Sequence, residues 1–191
     1  MNTPIDFDHT DPVFISYRHS DGTYITAELA WLLRAAGIPV WRDIDDLPPG
    51  DTNQRLKQAI DSGLSGAVLV ITPDVEHSRV IREVEAPRLI NLHQDYSDFA
   101  LGIVNAVPGA SGGVDYGAPD RVLNRATETL SGVDQKTSTR EGLIALVRGM
   151  VFHRIAHRRS AVEANDGTFN LTLQTRNTPQ VYDRTGCEPD I

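Results

Sequence analysis

Three stretches of this chain carry residues able to act on a ligand. The first is "VFISYRHSDG", Val13 to Gly22, where an apolar run fit for burial ends in Ser, Tyr, Arg, His and Asp. In α/β proteins such a polar cluster stands at the carboxyl end of a central strand, where ligands bind. Arg18 offers a guanidinium fork that matches phosphate oxygens. Tyr17 either faces the cleft or packs at the strand end, and His19 is either a base or, as a lone loop histidine, a solvated side chain. The second stretch ends in Trp41, Arg42 and Asp43. Trp41 fills core or gives a stacking platform for a base, whereas Asp43 has no evident core role. The third is "HSRVIREVEAP", with Glu83 and Glu85. A carboxylate there can stabilise positive charge that develops at a reacting carbon. The other reading makes either glutamate a solvated helix residue paired with Arg79 or Arg82.

No metal is expected. Asp43, Asp45, Asp46 and Asp51 in "RDIDDLPPGD" suggest a cation loop, but an EF-hand needs Gly at its sixth position and Glu at its twelfth, and neither fits from Asp43. Lone Cys187 provides neither an intramolecular disulfide nor metal-ligand spacing, which suits a reducing, cytoplasmic setting. A net charge of −8 argues against DNA or an anionic membrane as a partner of the whole surface. The local basic run "FHRIAHRR" leaves room for one anionic contact. No signal sequence and no spanning apolar stretch stand out.

The elements that must position these residues alternate strand and helix. "PVFISY" reads as a strand, followed by a helix carrying Ile25, Leu29, Leu32, Leu33 and Ala36 up to Gly37, its C-cap. "IPVW" is a second strand, Leu56, Ala59 and Ile60 mark a second helix, and "GAVLVIT" is a strand buried on both faces. A third helix from Ser78 carries Val80, Ile81 and Val84 and meets Pro87, which should kink or shorten it. "FALGIVNAVPG" offers a fourth strand, "GASGGVDYGAPD" a loop over the sheet, Arg121 to Leu130 a short helix and Thr139 to Arg159 a longer one. This order requires parallel pairing with right-handed crossovers. Beyond it, "RRSAVEANDG" reads as a linker, and "TFNLTLQTR" alternates like a half-buried strand. A lone strand cannot form a domain, so it either opens a second domain or joins the first sheet.

"VFISYRHSD", "GIPVWRDIDDLPPGD" and "AVLVITPDVEHS", in this order and with an acidic helix after them, resemble a bacterial Toll/interleukin-1 receptor (TIR) domain. The resemblance covers residues 12–107 well and 108–159 loosely. It implies an α/β, flavodoxin-like fold: a five-stranded parallel sheet with helices on both faces. The tail "FNLTLQTRNTPQVYD" is similar to the entrance of a SAVED domain, as in TIR–SAVED effectors that sense cyclic oligonucleotides in CBASS antiviral defence. The implied organisation is an N-terminal tail at 1–11, a TIR domain at 12–159, a linker at 160–166, and at 167–191 the start of a SAVED-like domain or a C-terminal tail.

For many bacterial members the resemblance implies hydrolysis of NAD+, as substrate and with no cofactor, at the nicotinamide–ribose bond. Nicotinamide leaves as a neutral ring from a carbon that gains oxocarbenium character, so a nearby carboxylate stabilises the charge and holds ribose hydroxyls. The family carries a Glu a few residues beyond a Ser and a Trp. Here Trp is absent. Ser78 and Glu85 lie nearly on one helical line with Ile81 at the aromatic's position, which favours Glu85 over Glu83. Tyr17, Arg18, Ser20, Trp41 and Asp43 are expected around the nucleotide, with Arg18 on the pyrophosphate. "DDLPPG" matches the loop through which TIR domains self-associate, sometimes as filaments, with Asp46, Leu47, Pro48 and Pro49 at the interface. A non-catalytic TIR adaptor, or another N-glycosyl enzyme such as a nucleoside deoxyribosyltransferase, are the alternatives that fold alone does not separate.

Overall fold

The computed structural model describes residues 10–42, 63–126, 129–165, 170–174 and 179–183. The helix expected around Leu56, Ala59 and Ile60, the residues Asp43, Asp46, Leu47, Pro48 and Pro49, and Cys187 lie outside the described residues. Two compact units are present, Met1–His153 and Arg154–Ile191.

In the first unit, β1 (Val13–Ser16) leads into α1 (His19–Ala35), followed by β2 (Val40–Arg42) and β3 (Gly66–Ile71). A 3₁₀ turn (Pro73–His77) and a π turn (Ile81–Glu85) precede α2 (Ala86–Asp95). Then come β4 (Ala100–Asn105), α3 (Ala118–Val122), β5 (Asp134–Thr137) and α4 (Arg140–Asn165), whose last residues pass into the second unit. All five strands pair in parallel, in the order β2-β1-β3-β4-β5. This is the expected flavodoxin-like arrangement.

Strand alternation builds two cores from one sheet. Phe14, Ala67, Leu69, Ile71, Leu101 and Ile103 point to one face, where Leu89 and Ile90 of α2 and Val122 of α3 cover them. Val13, Ile15, Val68, Val70 and Val104 point to the other, beneath Leu29 and Leu33 of α1 and Leu143, Leu146 and Val147 of α4. With both faces covered, the central strands read as continuous apolar runs. Gly102 lets α4 approach: a Cβ there would stand 2.8 Å from Leu146 Cδ1.

Helix α1 ends as Gly37 foretells. Gly37 takes φ +78°, its N–H reaches Arg34 O at 3.0 Å, and the Ile38 N–H reaches Leu33 O at 2.9 Å, the pair of bonds of a Schellman motif. The helix expected over Arg121–Leu130 instead spans Ala118–Val122. Pro119 suits a first turn, where no N–H is needed, and Asn124 stops the helix in the left-handed region at φ 55°. The fifth strand, "DQKT", has no apolar residue, because it is the sheet's edge and half exposed. Helix α4 continues to Asn165, through most of the stretch read as a linker; its Ala and Glu residues are good helix formers.

In the second unit, β6 (Asn170–Gln174) pairs antiparallel with β7 (Pro179–Asp183), with Thr172 opposite Val181. The expected lone strand therefore has its own partner and does not join the five-stranded sheet. Its partner escaped notice because Pro179 and Asp183 at its ends are weak strand formers.

Candidate active site

The strand order reverses direction at β1 and β3, since α1 covers one face and the turns after β3 cover the other. In open α/β sheets ligands bind outside the carboxyl ends of the strands at such a switch. Ser16 closes β1 and shares the face of Phe14, so its side chain points toward the segment that follows β3. There it meets Glu85. Ser16 Oγ donates to Glu85 Oε2 at 2.6 Å, and the two residues are only 2% and 7% exposed.

A local irregularity places Glu85 there. Pro87 in a regular α-helix would lack an N–H for the Glu83 carbonyl and would drive its ring against it. The chain instead widens into the π turn, in which the Ala86 N–H bonds to Ile81 O, and α2 restarts with Pro87 in its first turn. Ser78 lies before the helical segment in extended backbone, at φ −92° and ψ 99°, and its Oγ accepts a long 3.4 Å bond from the Ile81 N–H. The ideal helical line from Ser78 to Glu85 is thus interrupted, although Glu85 is the glutamate directed inward. Glu83 points outward, accepting from Arg79 Nε at 2.7 Å with both side chains well exposed. That pairing raises the Arg79 pKa further above its ordinary value.

The loops that follow β1 and β3 are tied together by acidic side chains. Asp21, at the start of α1, accepts from Thr72 Oγ1 at 2.6 Å and from the Asp74 N–H at 2.9 Å. Asp74 in turn accepts from Ser20 Oγ at 2.6 Å. These bonds join the loop after β1 to the loop after β3, and they occupy the hydroxyl proton of Ser20.

The remaining expected residues divide. Arg18 is exposed at the N-cap of α1. Tyr17 is buried with the α1-side core, and its ring stacks on His19 with centroids 4.9 Å apart. Trp41 is half-buried against the opposite core. Among the described residues no three His, Cys, Asp or Glu side chains gather as metal ligands, and no helix is long and apolar enough to cross a membrane. Sequence reasoning missed Ser16, Asp21, Thr72 and Asp74. A signal existed for Ser16, a polar residue on the Phe14 face of an otherwise apolar strand.

Residues 13–100 match the family described as "TIR domain". Among solved structures, the TIR domains in "Structure of the activated Roq1 resistosome directly recognizing the pathogen effector XopQ" are similar at 16% identity and a TM-score of 0.42, covering 76% of this chain and 84% of that one. No curated protein matches the sequence. That family match spans β1 to the start of β4, and the five-stranded, all-parallel sheet is consistent with the flavodoxin-like fold of TIR domains, which this stretch of the chain resembles.

Proposed function

We propose that this chain is an NAD+ hydrolase that breaks the bond between nicotinamide and ribose, with Glu85 as its catalytic carboxylate. The observation that carries the reading is the buried Glu85, bonded to Ser16 at the strand switch of a TIR domain. As the glycosidic bond lengthens, its electron pair leaves with nicotinamide and the ribosyl carbon becomes cationic. The Glu85 carboxylate stabilises that cation, and water adds to the carbon, giving ADP-ribose and one proton. Arg18, exposed at the N-cap of α1, suits the pyrophosphate.

Glu85 is buried in the isolated chain, so in this reading substrate access requires a local change, with assembly as its source. The "DDLPPG" stretch supports association on sequence grounds, through Asp46, Leu47, Pro48 and Pro49. In this reading the protein is a cytoplasmic antiviral effector of the TIR–SAVED kind, triggered by a cyclic oligonucleotide bound to a SAVED domain beginning near residue 167. The burial of Glu85 also favours a second reading, a non-catalytic TIR adaptor in which the Ser16–Glu85 pair only holds the fold.

Nicotinamide release from NAD+, measured with and without a tethering agent, separates the two. The hydrolase reading expects activity that rises with protein concentration and falls in Leu47→Asp. No nicotinamide from the tethered chain would leave the adaptor.

A further inference from the structure

The π turn leaves one carbonyl without a backbone donor. In an α-helix Arg82 O would accept from the Ala86 N–H, but that N–H bonds to Ile81 O. In a continued π turn it would accept from residue 87, which is a proline and has no N–H. The carbonyl is nevertheless satisfied. Arg125, from the stretch after α3, donates Nη2 to Arg82 O at 2.9 Å, across 43 residues of sequence. Arg82 itself is fixed at the other side, donating Nη1 to Glu76 O at 2.7 Å.

The position of Arg125 is itself built. Its own N–H bonds to Asp120 O at 2.8 Å, just past the left-handed Asn124 that ends α3. The Arg125 Nε is buried with no partner among the described residues. Keeping a guanidinium in such a place costs desolvation, so its contact with Arg82 O has to offset that cost.

We infer that Arg125 is a positioning residue: it supplies the donor that Pro87 lacks and thereby holds the π turn that directs Glu85 onto Ser16. The inference rests on the reading of Glu85 as the catalytic carboxylate only for its effect on activity; its effect on the turn stands apart. Arg125 touches no reacting atom. A charge-assisted bond to a carbonyl within the turn resists the return to α-helical register, in which Glu85 would be rotated along the helix surface.

The test is a double-mutant cycle of Arg125→Ala and Pro87→Ala in the full chain. It is read by amide hydrogen exchange over residues 81–90 and by nicotinamide release from the tethered protein. Arg125→Ala should speed exchange in the turn by about tenfold, as loss of a charged hydrogen bond raises local opening. It should lower kcat by about tenfold with KM changed less than about twofold, because orientation and not binding is lost. With Pro87→Ala present, residue 87 carries an N–H of its own, so the exchange effect of Arg125→Ala should shrink to less than about twofold. Arg125→Lys, which keeps a cationic donor, should restore at least about a third of the parent kcat. If Arg125→Ala does not fold, the cycle is run with Arg125→Gln, with the same ordering expected. Equal exchange effects of the Arg125 substitution with and without Pro87, or none in either, would overturn the clamp. A clamp seen by exchange in a parent that releases no nicotinamide supports the positioning role and sinks the hydrolase reading instead.

Discussion

Ser16 and Glu85 are 69 residues apart in sequence and 2.6 Å apart in the fold, hydroxyl to carboxylate, with almost no solvent on either. A buried carboxylate without donors is costly, so the strand-end hydroxyl both permits the burial and orients Oε2. The same bond fixes which of two neighbouring glutamates faces inward, and each of the first two predictions turns on it.

Glu85→Gln keeps size and removes charge. Nicotinamide release should fall by about 100-fold or more, the scale for losing a preorganised electrostatic group, with circular dichroism unchanged. Glu83→Gln, which breaks only the exposed pair with Arg79, should leave both unchanged. Activity lost in the Glu83 variant and kept in the Glu85 variant would reverse the assignment.

Ser16→Ala removes the donor and leaves Oε2 buried with one hydrogen bond fewer. Stability should drop by about 1.5–3 kcal/mol, measured by urea unfolding, and kcat should drop while KM holds. Ser16→Thr keeps the hydroxyl on a strand-favouring residue and should recover most of both. A Thr variant as impaired as the Ala variant would show that side-chain volume, not the hydroxyl, matters at this site.

Arg18→Ala separates binding from chemistry. A phosphate contact made equally in ground and transition states raises KM more than it lowers kcat. The expected weakening is about 1.5–3 kcal/mol for a charge-assisted bond. Steady-state kinetics with an unchanged KM would remove Arg18 from the site.

Asp115, in the loop after β4, accepts from Arg121 Nη2 at 2.8 Å and from the Gly117 N–H at 2.9 Å. The Arg121 hydrogen bond, followed by that of Gly117, holds its carboxyl below the usual carboxylate range. A depressed folded-state pKa contributes stability that is present above the ordinary carboxylate pKa and lost as pH falls through the lowered value. Arg121→Gln should therefore raise the Asp115 titration midpoint seen by carbon NMR. Parent and variant should differ in stability at neutral pH and converge in acid. An unmoved midpoint would mean that Arg121 does not set it.

The amino-acid sequence by itself determined the alternation of strand and helix, the burial of β1, β3 and β4, and the end of α1 at Gly37, because hydrophobic period and left-handed glycine are local properties. It also named Glu83 and Glu85 as the two candidates for the proposed carboxylate. The edge strand Asp134–Thr137 was not legible, since an exposed strand needs no apolar pattern and is recognised by its neighbour β4. Nor was the partnership of Ser20 with Asp74, or of Asp21 with Thr72, which link loops more than 50 residues apart. Pro87 announced a break in the helix, but whether the break would be a kink, a stop or a π turn depended on what could satisfy the orphaned Arg82 carbonyl. Only the tertiary structure decided that, by bringing Arg125 to it and Ser16 to Glu85, because hydrogen bonds between distant segments exist only once the sheet has set their distance.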